Sequence, residues 1–282
     1  MKKFFQLMML AALAVAMSAC SKKEVPQEDW KFAIQSYSFH NFSLVEALDK
    51  CQELGVKYIE VYPGHRLGDK WGDQQFWPSL DDSIQSEILQ IAEEKGVKIV
   101  ATGVFTSDNP EDWNQLFSFA SKMQMDYVTC EPPMAMWDSI EALSEKYNIK
   151  VAVHNHPQPS TYWTPDSLLK AVSERSENLG SCADVGHWVR EGLDNLECLK
   201  QLGSRVITYH FKDIIAKPED GSAQHDTIWG TGILNVKEMI NIMREQKFDG
   251  YLAIEYEYNW DNSVPDIKQS IENFKAIAAG KE

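Results

Sequence analysis

The chain carries VAVHNH at residues 151–156, CADVGHW at residues 182–188, ITYHFKD at residues 207–213 and LAIEYEY at residues 252–258. Each stretch is a short apolar run, typical of a buried β-strand, that ends in side chains able to bind a metal. In a parallel barrel the active site is built at the carboxyl ends of the strands. These stretches therefore predict the mouth of a parallel α/β barrel.

The rest of the chain continues the alternation of strand and helix. Strands are predicted at residues 32–37, 58–61, 98–103, 127–130, 151–154, 179–183, 206–210 and 251–254. Helix-start signals separate them, namely a capping box at Ser43–Glu46 and the pairs Asn109-Pro110 and Thr164-Pro165. The sequence contains no Pro/Gly/Ser-rich linker and no Gly-rich phosphate loop of the doubly wound folds. The predicted fold class is therefore α/β, a single-domain (β/α)8 TIM barrel over residues 30–282.

Residues 1–20 are predicted to be a lipoprotein signal peptide. Two lysines precede an apolar run that ends in MSAC at residues 17–20, and this run is too short for a membrane span. The layout resembles a bacterial lipoprotein signal, which would make Cys20 the lipidation site and residues 21–29 a tether; an ordinary cleaved signal with a chance cysteine is the alternative. The mature chain is then expected to be exported, periplasmic or at the cell surface, and held to a bacterial membrane by its lipid anchor only.

Composition excludes some classes of function. Removal of the two lysines in the signal peptide takes the formal net charge from −15 to −17. This charge disfavours a nucleic-acid partner, because phosphate binding requires a basic surface. It suits a domain that handles neutral or cationic small molecules, or that offsets its charge with a bound cation. The remaining cysteines are too few for a disulfide scaffold, and no essential disulfide is expected.

The spacing of polar side chains at the strand ends indicates a shared site. Residues two apart share one face of a strand, and three polar pairs have this spacing: His154 and His156, His210 and Lys212, Glu255 and Glu257. Carboxylates and imidazoles that converge from different strands can fill the coordination shell of a divalent ion. A lone histidine at a strand end is more often structural, but several on successive strands favour a metal or catalytic site.

Further residues near the strand ends are candidates for substrate contact. Glu131 and Glu60 either take part in the site or have a structural role in the loops. His187 either holds the substrate or orients Asp184. Large aromatic side chains in the loops predicted after strands five to eight either stack on a sugar or pack over the barrel rim. They are Trp163, Trp188, Trp229 and Trp260.

Residues 31–274 resemble the sugar (phosphate) isomerase/epimerase family, whose members have a xylose isomerase-like TIM barrel. The motifs that carry the resemblance are HNH, DVGH, HFKD and IEYE on strands five to eight. The resemblance implies a divalent metal ion, which could be manganese, magnesium, cobalt or zinc. It assigns metal ligation to Asp184, His210 and Glu255.

One position departs from the family's pattern. In ketose epimerases of this kind the strand-five ligand is a glutamate, whereas this chain has His154. His154, His156 and Glu131 are therefore alternatives for the fourth ligand. The departure also weakens the transfer of a two-glutamate epimerase mechanism to this chain.

The resemblance implies a metal-dependent isomerase or epimerase that acts on a small carbohydrate. The reaction would be proton abstraction next to a carbonyl, through a metal-stabilised enediolate. Glu255, Glu257 or His156 would move the proton, and Lys212 would neutralise negative charge or hold a hydroxyl. The alternatives are a lyase or hydrolase acting on an oxidised sugar, and a lipid-anchored carbohydrate-binding protein without turnover. The family's endonucleases for damaged DNA fit poorly with the negative charge and with export, and a homo-oligomer is left open.

Overall fold

A computed structural model describes residues 29–281 of the chain. Within this range the chain forms a closed parallel barrel of eight strands surrounded by helices, which confirms the predicted TIM barrel. The predicted signal peptide, Cys20 and all of the tether before residue 29 lie outside the described residues. None of the helices between residues 29 and 281 is long and apolar enough to cross a bilayer.

The barrel strands follow one another around the ring in chain order. They are β1 Lys31–Gln35, β2 Tyr58–Val61, β3 Lys98–Phe105, β4 Tyr127–Cys130, β5 Lys150–His154, β6 Leu179–Asp184, β7 Val206–Phe211 and β8 Tyr251–Ile254. Hydrogen bonds between β8 and β1 close the ring. A two-stranded antiparallel ribbon, Asp213–Ile214 with Asp226–Thr227, forms in the loop after β7.

At least one helix follows every strand. The helices are α1 Leu44–Leu54, α2 Asp82–Glu94, α3 Pro110–Lys122, α4 Trp137–Tyr147, α5 Pro165–Val172, α6 Val185–Arg190, α7 Asn195–Leu202, α8 Val236–Glu245 and α9 Val264–Ala278. The capping box between Ser43 and Glu46 opens α1, and Gly55 ends it with φ +68°. Proline occupies the first turn of α3 and α5, as predicted.

The predicted bounds match the structure at β2, β4 and β8 and differ elsewhere by one or two residues. β1 ends at Gln35 instead of Tyr37, because the Gln35 side chain accepts a hydrogen bond from the Tyr37 N–H at 2.9 Å and the chain turns into a 3₁₀ helix. β3 continues past Gly103 to Phe105.

Two apolar regions position the site. The larger one lies between the barrel and its helices, and all four cysteines of the described residues are buried there or in the strands, with free thiols. The smaller one fills the barrel interior with Ala33, Val100, Ala101, Tyr127, Ala152, Cys182 and Ala253. Since side chains fill the interior, the space for chemistry lies at the carboxyl ends of the strands.

Candidate metal centre and active site

Four side chains from consecutive strands meet at the carboxyl end of the barrel. His154 and Asp184 are the last residues of β5 and β6. His210 is the last residue but one of β7, and Glu255 directly follows β8. The register pairs Asp184 with His210, and His210 with Ala253, two residues before Glu255. One ligand atom from each of these four buried residues therefore lies within 4.8 Å of the others.

Each residue of this cluster offers a fully buried atom that makes no hydrogen bond within the part of the chain that the structure describes. These atoms include His154 Nε2, Asp184 Oδ2, His210 Nδ1 and Glu255 Oε2. These atoms are held by ion pairs with Lys212 and with one another, at 3.0–3.5 Å, and not by hydrogen bonds. Such a buried set of lone pairs could be shared by a bound cation. Imidazole nitrogens and carboxylate oxygens are ligands that divalent metals accept. The residues present therefore fit a divalent cation.

The Lys212 ammonium lies beside the cluster. Lys212 is fully buried, and its Nζ lies 3.1 Å from Asp184 Oδ2, 3.0 Å from Glu255 Oε2 and 2.7 Å from Glu257 Oε1. Burial by itself lowers the pKa of Lys212, but the surrounding carboxylates raise this pKa well above its ordinary value. Burial by itself raises the pKa of Glu255, yet Lys212 and His210 hold it well below its ordinary value. Lys212 is therefore charged and keeps its neighbours ionised.

Glu60 lies beneath the cluster, which corrects its predicted role in substrate binding. Its side chain has no exposed surface. Its carboxylate accepts hydrogen bonds from Gln35 Nε2 at 3.2 Å, from the Tyr127 hydroxyl at 2.8 Å and from His210 Nε2 at 3.0 Å. Because these donors enclose it, Glu60 orients the His210 ring and does not face the mouth.

Sequence reasoning missed the residues that hold Glu60. Tyr127 opens β4 at the opposite end of the barrel, yet its hydroxyl reaches Glu60 through the interior. Gln35 ends β1, where it is a fully buried amide after an apolar run. The only available signal was this polar residue in the otherwise apolar sequence FAIQ.

Glu131 follows β4 and contacts both histidines of the HNH motif. Its Oε1 accepts hydrogen bonds from the His156 backbone N–H at 3.1 Å and from His156 Nδ1 at 2.5 Å. Its Oε2 accepts one from the Ser160 hydroxyl at 2.9 Å. His154 Nδ1 lies 3.5 Å from the same Oε1, which is longer than a hydrogen bond. Burial by itself raises the pKa of Glu131, but contacts with the two histidines lower it well below its ordinary value.

The structure separates the three candidates for the fourth ligand. It places His154 in the cluster with Asp184, while Glu131 lies behind the His154 ring. The His156 side chain is 49% exposed and forms an outer group of imidazoles with His154 and His187. His154 is therefore the strand-five residue of the cluster.

His187 contacts Asp184 through its backbone and through its ring. The backbone N–H donates to Asp184 Oδ1 at 2.8 Å, and Nε2 lies 3.4 Å from Asp184 Oδ2. Burial lowers the pKa of His187 to about 3, so the ring is neutral at pH 7. This position suits the orienting role predicted for His187, and the partly exposed edge of its ring keeps the substrate-binding role open.

The tryptophans predicted at the rim divide into two groups. Trp188 and Trp229 belong to the core, which corrects their predicted contact with substrate. Trp188 lies in α6 and is 1% exposed; Trp229 is equally buried and its ring centroid lies 4.5 Å from that of Phe211. The Trp188 ring packs inward from the short helix α6, and the spacing of residues in the sequence did not predict that helix. Trp163 and Trp260 are half-buried in the loops after β5 and β8, as predicted.

An aromatic group at the rim, near β1 and β2, was also missed. The Tyr37 ring is 40% exposed and packs edge-on against Tyr62, with 5.3 Å between ring centroids, and against Trp260, with 5.8 Å. His40 stacks on Tyr37 at 4.8 Å. Because β1 was predicted to continue through Tyr37, the 3₁₀ turn at Ser36–Phe39 was not predicted.

A model of one protein family matches most of the chain. The family is described as the xylose isomerase-like TIM barrel, and the match spans residues 48–277. The chain belongs to this family. This membership agrees with the motifs on strands five to eight and with the closed barrel.

Similar proteins include epimerase-like and dehydratase members. An uncharacterised protein of Parabacteroides distasonis has 37% sequence identity and a TM-score of 0.71, over 87% of this chain and 98% of that chain. A D-tagatose 3-epimerase-like protein shares the fold, with 21% identity and a TM-score of 0.66 over 89% of this chain and 99% of that chain. An inosose dehydratase of Clostridium perfringens is 26% identical over 133 residues, 43% of this chain. The chain spans only 44% of the length of that dehydratase.

Proposed function

We propose that the chain is a metal-dependent isomerase or epimerase of a sugar or sugar derivative, which removes a proton next to a carbonyl group. The observation that carries the proposal is the set of four buried, converging ligand atoms at the barrel mouth, beside the charged Lys212. The family membership supports the proposal, and the similar proteins include a D-tagatose 3-epimerase-like protein and an inosose dehydratase.

A divalent ion held by His154, Asp184, His210 and Glu255 would stabilise the negative charge that develops on the substrate oxygens. The fixed charge of Lys212 acts in the same place, because a buried ammonium stabilises an enediolate more strongly than water does. Lys212 can also donate a hydrogen bond to a substrate hydroxyl, since its Nζ carries three hydrogens.

Glu257 and His156 are the groups best placed to move the proton. Glu257 follows β8 and His156 follows β5, and β6 and β7 separate these strands in the ring. Both side chains keep exposed surface at the mouth, 29% for Glu257 and 49% for His156. A substrate carbon above the cluster would face a carboxylate on one side and an imidazole on the other, which suits proton removal and return on different faces. Glu255 is left to ligation because it is more deeply buried.

Deuterium exchange tests the proposal. The mature chain from residue 21, loaded with metal, is incubated with a series of ketoses in deuterated water and followed by NMR. We expect exchange at the carbon next to the carbonyl for at least one sugar, and loss of this exchange in Glu257→Gln. Asp184→Ala should lose both the exchange and the bound metal, measured by mass spectrometry. A fully metallated, active Asp184→Ala protein would refute the assignment of the site.

A lyase or hydrolase acting on an oxidised sugar is the second candidate. Two observations favour it: the similarity to inosose dehydratases, and the replacement of the strand-five glutamate by His154. Elimination begins with the same proton abstraction, but a group on the next carbon then leaves. The two reactions differ in product: elimination releases the β-hydroxyl as water and leaves an enol that tautomerises to an α-dicarbonyl compound, which o-phenylenediamine traps as an ultraviolet-absorbing quinoxaline. Sugar binding with neither exchange nor elimination would instead support a carbohydrate-binding protein without turnover.

A further inference from the structure

Both imidazoles of the cluster have a carboxylate behind them: the fully buried Glu60 behind His210, and Glu131, 18% exposed, behind His154. His210 Nε2 lies 3.0 Å from Glu60 Oε1, and His210 Nδ1 lies 3.1 Å from Glu255 Oε2 within the cluster. With Nε2 donating to Glu60, the neutral ring would offer the lone pair of Nδ1 to a cation shared with Glu255. Metal-binding histidines usually have this arrangement, in which a carboxylate accepts the second N–H and fixes the tautomer and the ring. The hydrogen bond to Glu60 therefore holds the His210 ring in an orientation that suits a metal ligand.

His154 repeats the arrangement with Glu131. Its Nε2 lies 3.5 Å from Asp184 Oδ2, on the side of the cluster, and its Nδ1 lies 3.5 Å from Glu131 Oε1, on the opposite side. When Nε2 gives its lone pair to a cation, Nδ1 must carry the hydrogen. Glu131 is the carboxylate nearest this N–H, at ion-pair distance and not at hydrogen-bond distance, and its own position is held by His156 and Ser160.

The balance of donors and charge bears on which metal the cluster prefers. The cluster has two imidazoles and two carboxylates, whereas a strand-five glutamate would give one imidazole and three carboxylates. Imidazole suits zinc and cobalt, while magnesium and manganese favour carboxylate and other oxygen ligands. Lys212 offsets part of the negative charge of Asp184 and Glu255. This offset weakens the binding of a cation held by charge alone more than the binding of a cation that also forms strong bonds to imidazole nitrogens.

We propose that the cluster is a two-histidine centre that selects zinc or cobalt over magnesium and manganese, with Glu131 and Glu60 as positioning residues for His154 and His210. This inference rests on the proposed function only in that both use the same cluster. A histidine on β5, in place of a glutamate, increases the preference of the cluster for zinc and cobalt.

Metal titration without substrate tests the proposal. The metal-free mature chain from residue 21 is titrated with zinc, cobalt, manganese and magnesium by calorimetry and by competition with a chromophoric chelator. Most N/O sites already bind zinc and cobalt more tightly than manganese, so the quantity compared is the ratio of the manganese to the zinc dissociation constant, which we expect to be larger in the wild type than in a variant with one histidine. His154→Glu should narrow or reverse this preference. An unchanged ratio of zinc to manganese affinity in His154→Glu would overturn the proposal, as would a wild-type preference for manganese or magnesium.

Variants of the positioning residue supply a second test. Glu131→Gln should weaken zinc binding by about 10–100-fold, the usual effect of removing a carboxylate behind a metal-binding histidine. Glu131→Asp, which keeps the carboxylate, should lose less. Glu174→Gln changes an exposed carboxylate outside the cluster and is the matched control, with near-normal zinc affinity expected. A larger loss in His156→Ala than in Glu131→Gln would identify His156 as the ligand and refute the role of His154.

The outcomes separate this inference from the proposed function. Zinc selectivity that depends on His154, without deuterium exchange on any sugar, would refute the function and leave the metal preference intact. Deuterium exchange supported only by manganese or magnesium would refute the metal preference and leave the proposed function intact. The visible spectrum of the cobalt-loaded protein gives a further readout independent of turnover, because it should change in His154→Glu while circular dichroism shows that the fold is retained.

Discussion

Lys212 is the residue whose charge balances the carboxylates of the site. Its ammonium is fully buried between Asp184, Glu255 and Glu257. Removing one partner of a buried ion pair leaves the other charge uncompensated and costs about 3–5 kcal/mol. We therefore expect the metal-free Lys212→Met protein to lose about this much unfolding free energy in urea titrations, and added zinc to restore part of it.

An exposed ion pair provides the control for Lys212. Lys98 contacts Asp126 at 2.7 Å, but both side chains are more than 40% exposed. Solvent screens such a pair, so Lys98→Met should cost about 1 kcal/mol or less. Equal stability of the metal-free wild type and Lys212→Met would show that Lys212 does not compensate the carboxylates.

His65 makes stability depend on pH at a place away from the metal cluster. The side chain is fully buried, its Nε2 donates to the Phe42 carbonyl at 3.1 Å, and its Nδ1 accepts from the Ser36 hydroxyl at 3.0 Å. Burial is the main cause that lowers the pKa of His65 from 6.5 to about 4. The unfolded chain therefore takes up a proton at a higher pH than the folded chain, and stability falls as the pH drops from 6.5 towards 4.

The size of this effect gives a measurable difference. His65 should account for a loss of about 3 kcal/mol of unfolding free energy between pH 7 and pH 4. We expect His65→Gln to be less stable at pH 7 but to lose less on acidification, measured by urea unfolding at both pH values. His225→Gln, at a partly exposed position, is the control. The same acid dependence in wild type and His65→Gln would contradict the prediction.

At the scale of elements, the junction of β6 and α6 builds one edge of the site. α6 begins directly after β6, and Asp184 is both the last strand residue and the N-cap of the helix. The cap uses Asp184 Oδ1, which accepts from the His187 N–H, and so leaves Oδ2 for the cluster. The helix start therefore fixes the orientation of a carboxylate of the candidate metal site.

Gly186 in α6 leaves room for the Lys212 side chain. A Cβ atom at this position would lie 2.6 Å from Lys212 Cγ and 2.7 Å from Cδ. Gly186→Ala should therefore displace Lys212 and weaken turnover, while the α-helical backbone, which alanine favours, stays intact. A double-mutant cycle checks this: the stability cost of Gly186→Ala should shrink in a Lys212→Ala background, which lacks Cγ and Cδ. Additive costs would mean that Gly186 acts through another contact.

At the scale of the whole molecule, the lipid anchor remains a prediction from residues 1–20. The physical expectation is that an acyl chain on Cys20 holds the acidic barrel at a membrane surface. In a bacterial expression host, Cys20→Ala should lose incorporation of labelled fatty acid and appear in the soluble fraction, while Cys51→Ala keeps the label. Unlabelled, soluble wild type would indicate an ordinary cleaved signal.

The architecture could be predicted from local patterns in the sequence. The strands β2, β4 and β8 and the starts of α1, α3 and α5 agree with the structure because they depend on near neighbours: apolar runs, a capping box and prolines in a first turn. The positions of His154, Asp184, His210 and Glu255 were predictable for a related reason. In a parallel barrel the end of each strand points to one mouth, so sequence position along a strand becomes position in the site.

The sequence by itself determined the barrel, the end at which chemistry occurs and the residue types available there. Only the tertiary structure decided that Trp188 and Trp229 are core residues, that Glu60 supports His210, and that His154 enters the cluster. These outcomes depend on contacts between residues far apart in the chain, such as Glu60 with Tyr127 at a separation of 67 residues and with His210 at 150. Local periodicity contains no information on such pairs, because closure of the ring and packing of its interior bring them together.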